Sequence, residues 1–190
     1  MNQADHEVNF WKGLVVSLGI DGFLELRKKD WFEKTKFFRN SIDKERGQGI
    51  DVGCGPHSIF EQSDLDVIAI DPLMNQYKEL IDLPIRNPHL NMSGEQIDFS
   101  DNHFDFALCV NVIDHTPDPQ KMADEIYRVL KPGKTFYFQV NFDDALSPCH
   151  YAIWNVEMVS RILSKFKLID FMIERNDSGN QYIYHAIYEK

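Results

Sequence analysis

The sequence predicts an α/β fold: a doubly wound, mostly parallel seven-stranded sheet with an antiparallel edge strand, preceded by a helical N-terminal extension. Three observations predict it. After position 48, short runs rich in β-branched residues alternate with segments of helical periodicity. The first of these strand-like runs end in polar or glycine positions at their carboxyl ends, as strands of a sheet covered on both faces do. The last two are separated only by Asn176-Asp177-Ser178-Gly179-Asn180, a connection that joins antiparallel neighbours.

In the extension, Phe10, Trp11, Leu14, Val15 and Leu18, and later Phe37, Phe38 and Ile42, recur at helical spacing and predict two or three helices. Its aromatic residues read first as core, with Trp11, Trp31 and Phe32 the candidates to line a lid. A short strand is expected over residues 49–52, running into Gly53-Cys54-Gly55, and a buried one over residues 67–70, ending at Asp71. Helices are expected near Ile59 and over residues 75–81, with a weak strand over residues 90–93. Residues 104–110 form the next strand, ending at Asn111. The clearest helix covers residues 119–130: Met122, Ala123, Ile126, Val129 and Leu130 share one face, Asp118 caps the start and Lys131-Pro132-Gly133 stops it. A strand over 134–142, a helix over 155–165 with Val156, Val159, Ile162 and Leu163 inward, and strands over 167–174 and 181–188 complete the set.

With 190 residues, 22.2 kDa and 43% hydrophobic side chains, the chain supports one core and hence a single domain, 1–190, made of a helical lid (1–47) and a ligand-binding core (48–190). The formal net charge is −10, and the lid holds nine basic against eight acidic residues up to Gly49 while the remainder holds eleven against twenty-two. This balance argues against nucleic-acid binding, which needs clustered Lys and Arg. The apolar run at 14–18 is far short of a bilayer span, and Asp5 and Glu7 stand where a secretory leader would be basic, so neither membrane insertion nor export is expected. Cys54, Cys109 and Cys149 are widely spaced without a C-x-x-C pair, which suggests no disulfide framework and no metal site and fits a cytoplasmic protein. A monomer or homodimer is expected.

In open α/β sheets, ligands bind beyond the carboxyl ends of the strands where strand order reverses. Asp51-Val52-Gly53-Cys54-Gly55-Pro56 is a strand entering a glycine turn that lets main chain approach a ligand. Asp71 ends the next strand, where a carboxylate can accept both hydroxyl hydrogens of a ribose. Together they describe a nucleoside-containing cofactor. A dinucleotide fingerprint needs glycine where Ser58 stands, which disfavours a nicotinamide oxidoreductase, and no triphosphate-binding loop exists. Asp51 would repel a pyrophosphate but suits the amino and sulfonium cations of S-adenosylmethionine. Each residue also has a plainer reading: Asp51 and Asp71 as caps, Cys54 and Cys109 as small packing residues, Glu95 as a solvated loop acid, Asn111 as a strand terminator, His115 as a brace for the following helix.

At this point the sequence resembles class I S-adenosylmethionine-dependent methyltransferases, the Rossmann-like small-molecule, type 11-like group. The resemblance covers residues 48–190 and rests on Asp51-Val52-Gly53-Cys54-Gly55-Pro56, Ile70-Asp71-Pro72, Gly94-Glu95-Gln96-Ile97-Asp98-Phe99, the stretch from Phe104-Asp105 to Asp114-His115, and Glu125-Ile126-Tyr127-Arg128-Val129-Leu130-Lys131-Pro132-Gly133. It implies that Gly53, Cys54 and Gly55 pass beneath the methionine part of the cofactor and that Asp51 orients its amino group. It further implies that Asp71 holds the ribose, Pro72 or Leu73 lies against adenine, Gly94, Glu95 and Gln96 meet its edge, and Asn111 and Val112 line the methyl-transfer pocket. His115, and His150 in the loop after the fifth strand, are the candidates for a base. Asp98 and Lys134 replace the proline and glycine usual at those places.

The expected activity is methyl transfer to a small-molecule acceptor, with a lean towards a sugar or other metabolite. The alternative is a non-catalytic module of the same fold serving as a partner subunit. Methylation of nucleic-acid amino groups is disfavoured, because Asn111-Val112-Ile113-Asp114 lacks the Pro-Pro-aromatic sequence that such a resemblance would require.

Overall fold

The computed structural model describes residues 3–80, 82–142, 153–176, 179 and 181–190. Its centre is one sheet of seven strands: β1 (Gln48–Val52), β2 (Asp66–Asp71), β3 (His89–Asn91), β4 (Phe104–Val110), β5 (Leu130–Phe142), β6 (Lys167–Arg175) and β7 (Tyr182–Glu189). The order is β3-β2-β1-β4-β5-β7-β6. Strands β1 to β5 pair in parallel, while β7 runs antiparallel to both β5 and β6, with β6 outermost. The order turns back at β1, which lies between β2 and β4, and so the crevice expected of a doubly wound sheet opens above β1 and β4.

Helices cover both faces. On one, α4 (Pro119–Val129) and α5 (Val156–Ile162) seal a core of Ile50, Ala107, Phe136, Phe138 and Tyr188. Pro119 opens α4, the Asp118 carboxylate accepts from Lys121 N–H, and Met122, Ala123, Ile126 and Val129 are buried. Each large side chain buried there contributes roughly 1.5–3 kcal/mol. Asn155 caps α5 in the same way, accepting from Met158 N–H. The other face carries α1 (Gln3–Lys34) and α2 (Arg39–Ile42), with Trp31, Phe38 and Ile42 packed on Phe106, Leu108 and Tyr137. The short α3 (Met74–Leu80) joins Val8, Cys54, Ala69 and Tyr77 in a third cluster.

The long α1 is two helices meeting at Gly19, whose φ of 68° and ψ of 170° break the helical path. That combination is open only to glycine. The segment expected as a helix near Ile59 is a single 3-10 turn over Ile59–Gln62, because Ser58 both caps it and ties it back to the sheet. Strand β5 begins at Leu130 rather than at 134, since Leu130 pairs with Phe104 as soon as α4 ends; an irregularity follows, with Gly133 at φ 70°, before regular pairing resumes at Thr135. At the rim, Leu168, Ile169, Phe171 and Ile173 of β6 are each at least 40% exposed. Among the described residues no helix is long and apolar enough to cross a membrane.

Candidate functional site

Where β1 ends, the chain turns sharply back over β2. The amides of Gly53 and Cys54 both donate to Ile70 O, at 2.8 and 3.1 Å. Gly53 has φ 77°, and a Cβ there would lie 2.0 Å from Val112 Cγ2. The turn therefore admits no side chain, and main chain is brought to the ligand face instead. Asp51 is buried behind it and accepts from Ser58 Oγ at 2.6 Å. Burial pushes its carboxyl up to about 6, against the Ser58 hydrogen bond and the charge of Arg27. Asp71 ends β2, and its two oxygens accept from Gly55 N–H at 3.0 Å and Leu73 N–H at 2.9 Å. Burial likewise raises it to about 6, opposed by those two amides.

These carboxylates flank a cavity of about 780 Å³. Of the residues singled out from sequence, Asp51, Gly53, Cys54, Gly55, Asp71, Pro72, Leu73, Gly94, Glu95, Asn111, Val112 and His115 all line it. Gln96 does not: it is exposed, and its amide closes a turn on Ser93 O. His150 lies outside the described residues. Glu95 is no solvated acid; it accepts from Thr116 Oγ1 and, at 3.0 Å, from Asp118 N–H, tying the loop after β3 to the start of α4. Asn111 sits at φ 57°, and its buried Oδ1 has no hydrogen-bond partner among the described residues. His115 is braced between two carboxylates, with Nδ1 3.0 Å from Glu7 Oε1 and Nε2 3.7 Å from Asp114 Oδ2.

The roof of the cavity is α1, which contributes Glu7, Phe10, Trp11, Arg27, Asp30 and Lys34 among others. Arg27 is the residue that sequence reasoning missed. It is 4% exposed, and its guanidinium donates to His57 O at 2.9 and 2.7 Å and to Asp30 Oδ2 at 2.9 Å, with a longer contact to Cys54 O. Burial lowers its pKa, opposed by Asp30 and Asp51. Nothing in a helical stretch reading Leu26-Arg27-Lys28-Lys29-Asp30 distinguishes this arginine from its solvated neighbours; only its place one turn from Phe23 and Trp31 hints at burial.

A family model matches the stretch that holds β1 to most of β5 and nearly the whole cavity floor. Residues 50–138 match a methyltransferase domain. Within this methyltransferase domain the chain is similar to a thiol S-methyltransferase of Rattus norvegicus, 26% identical over 60% of this chain and 50% of that one. It is also similar to a ubiquinone biosynthesis O-methyltransferase of Paraburkholderia phymatum, 27% identical over 61% and 53% respectively. An uncharacterized methyltransferase of Mycobacterium sp. (strain KMS) is 28% identical over 44% of this chain and 34% of its own. The chain thus spans about a third to a half of the length of these curated relatives. In solved structures, the fold of the methyltransferase domain superposes on the 1,6-didemethyltoxoflavin N1-methyltransferase of Burkholderia thailandensis with a TM-score of 0.66 at 16% identity, covering 95% of this chain and 87% of that one. For the N-methyltransferase NodS of Bradyrhizobium japonicum the TM-score is 0.63 at 18% identity, covering 83% and 85%.

Proposed function

We propose that this protein binds S-adenosylmethionine between Asp51 and Asp71 and transfers its methyl group to a small-molecule acceptor held under α1. The observation that carries this reading is the placing of two buried carboxylates at the ends of adjacent parallel strands, on either side of a side-chain-free turn, along one wall of a cavity of about 780 Å³. The residues fit the cofactor: a pocket that raises two carboxyl groups to about 6 gains most from a ligand that brings positive charge and hydroxyl donors to them. When bound, the cofactor supplies a methyl already activated by the sulfonium charge.

The chain's own contribution is then binding, orientation and dryness. Asp51 faces the cationic end, Asp71 accepts from the ribose, and Pro72 and Leu73 border the adenine. Trp11, whose ring lies 3.3 Å from where a Gly55 Cβ would stand, closes the roof. Holding donor and acceptor in line is worth roughly 7–11 kcal/mol, while a general base adds about two to four powers of ten and is needed only for a protonated acceptor. Asn111 and Val112 border the place of the group being methylated. His115, held by Glu7 and Asp114, reads better as a brace of the pocket wall than as that base. Sugars remain among the acceptors to be screened.

The test is a melting comparison with S-adenosylmethionine, S-adenosylhomocysteine and NAD, where a true ligand at a hundredfold its dissociation constant stabilises by roughly 2.7 kcal/mol. Calorimetric titration of Asp71→Ala with S-adenosylhomocysteine then locates the site. Undiminished affinity in that variant, or a response to NAD alone, would sink the reading.

A further inference from the structure

The polar groups around the cavity are almost all engaged within the protein. Each of the five carboxylates that line it among the described residues is already engaged: Glu7 faces His115, Asp30 accepts from Arg27, Asp51 from Ser58, Asp71 from Gly55 and Leu73, and Glu95 from Thr116 and Asp118. Arg27 spends four of its five N–H donors on two carbonyls and Asp30. Lys34 differs. It lines the cavity with its side chain 30% exposed, makes no hydrogen bond among the described residues, and has only an ion pair of 3.9 Å, to the Asp30 carboxylate that it shares with Arg27. Its electrostatic neighbours are Asp30, Arg27 and Asp114, the last in the turn that follows Asn111 and Val112, whereas Asp71 responds to Glu7 and His115. Trp31, one turn before Lys34, packs on Phe106 and Leu108 of β4, which places Lys34 on the side of the cavity where β4 runs out into Asn111 and Val112.

Resting on the methyltransferase reading above, we propose that the methyl acceptor is an organic monoanion, seated by its carboxylate on the Lys34 ammonium. Two cations sharing one carboxylate leave a positive charge for a ligand to meet, and the three N–H donors of Lys34 are unspent. A phosphate monoester, with nearly two charges, would call for a second available cation, and the charge of Arg27 is already met by Asp30 at 2.9 Å. Phe10, Trp11 and Leu14 on the neighbouring wall supply contact for an apolar body behind the carboxylate. Burial lowers the pKa of Lys34, and a bound carboxylate would restore its proton affinity.

Benzoate, benzamide and benzylamine are isosteric probes carrying one negative, no and one positive charge, and each is titrated calorimetrically into protein saturated with S-adenosylhomocysteine. Benzoate is expected to bind about tenfold or more tightly than the other two, and to lose that margin in Lys34→Gln but keep most of it in Lys34→Arg. Equal binding of benzamide or benzylamine, unchanged benzoate binding in Lys34→Gln, or no benzoate binding at all overturns the proposal. A second arm compares S-adenosylhomocysteine with methylthioadenosine, which lacks the amino-acid carboxylate. If Lys34→Gln weakens the former about tenfold and leaves the latter alone, the lysine serves the cofactor and the assignment to the acceptor is wrong. Failure of the unaltered protein to bind S-adenosylhomocysteine overturns the cofactor reading instead, and the benzoate comparison, repeated without it, decides Lys34 by the same criteria.

Discussion

Ser58 Oγ donates to Asp51 Oδ2 at 2.6 Å, so a hydroxyl stands where a dinucleotide-binding turn requires glycine, and it holds the carboxylate that backs the ligand face. The same oxygen accepts from Phe60 N–H at 3.1 Å, and Ser58 N–H donates to His89 Nε2 at 3.0 Å. Ser58→Ala removes both hydroxyl bonds from a fully buried position. The expected cost is about 1–3 kcal/mol in urea unfolding, with weaker S-adenosylhomocysteine binding as Asp51 becomes harder to ionise.

Asp51 and Asp71 carry a definite pH signature. Both are raised from 3.8 to about 6, chiefly by burial. The folded state binds their protons more tightly than the unfolded chain, so their contribution to stability is fully present below pH 3.8 and is lost as pH rises through 6. Asp51→Asn is therefore expected to stabilise the ligand-free protein at pH 7, by about 1–3 kcal/mol, while weakening cofactor binding. A cationic ligand favours the ionised pair, so affinity for S-adenosylmethionine should climb from pH 5 to 7 with release of protons, measurable by calorimetry in buffers of different ionisation enthalpy. Pairing with protons taken up would contradict this assignment.

Gly53→Ala combines a strained φ of 77° with a clash against Val112. The expected result is loss of S-adenosylhomocysteine binding and a stability cost of roughly 1–3 kcal/mol. Adding Val112→Ala should recover the steric part only, and a complete recovery in the double variant would show that backbone conformation is irrelevant here.

Arg27→Met leaves the carbonyls of His57 and Cys54 without their donor and Asp51 without its nearest cation. A loss of about 3 kcal/mol is expected in chemical denaturation. Arg27→Lys should restore little, because a single ammonium cannot reproduce the forked contacts.

The sheet was legible because its strands are apolar runs bounded by glycine, proline or polar residues, and α4 because Asp118 and Lys131-Pro132-Gly133 mark both ends. The two acids that border the cavity were legible for the same reason: each stands directly at a strand end, next to the glycine turn or on the strand beside it. What stayed hidden depends on contacts far apart in sequence. Arg27 bonds across thirty residues to His57, Glu7 across 108 to His115, and neither partner alone departs from ordinary helix or loop chemistry. The position of β7 between β5 and β6 was equally invisible, since a short connection specifies a neighbour but not the strand on its other side.

The joint between Glu7 and His115 yields one more measurable expectation. It pins the first half of α1, beyond the Gly19 break, to the turn after β4. Glu7→Ala should speed amide hydrogen exchange in the segment before Gly19 and hasten S-adenosylhomocysteine release, while exchange in β1 and β4 stays unchanged.

Among the described residues strand β6 has a neighbour on one flank only, and its outward row of peptide groups is open alongside Leu168, Phe171 and Ile173. Such a margin is an adhesive one: extended chains of any origin meet spare donors, spare acceptors and oily side chains there together. Phe171→Lys would set a charge on that margin, and is expected to lessen self-association of the purified protein in light scattering at high concentration.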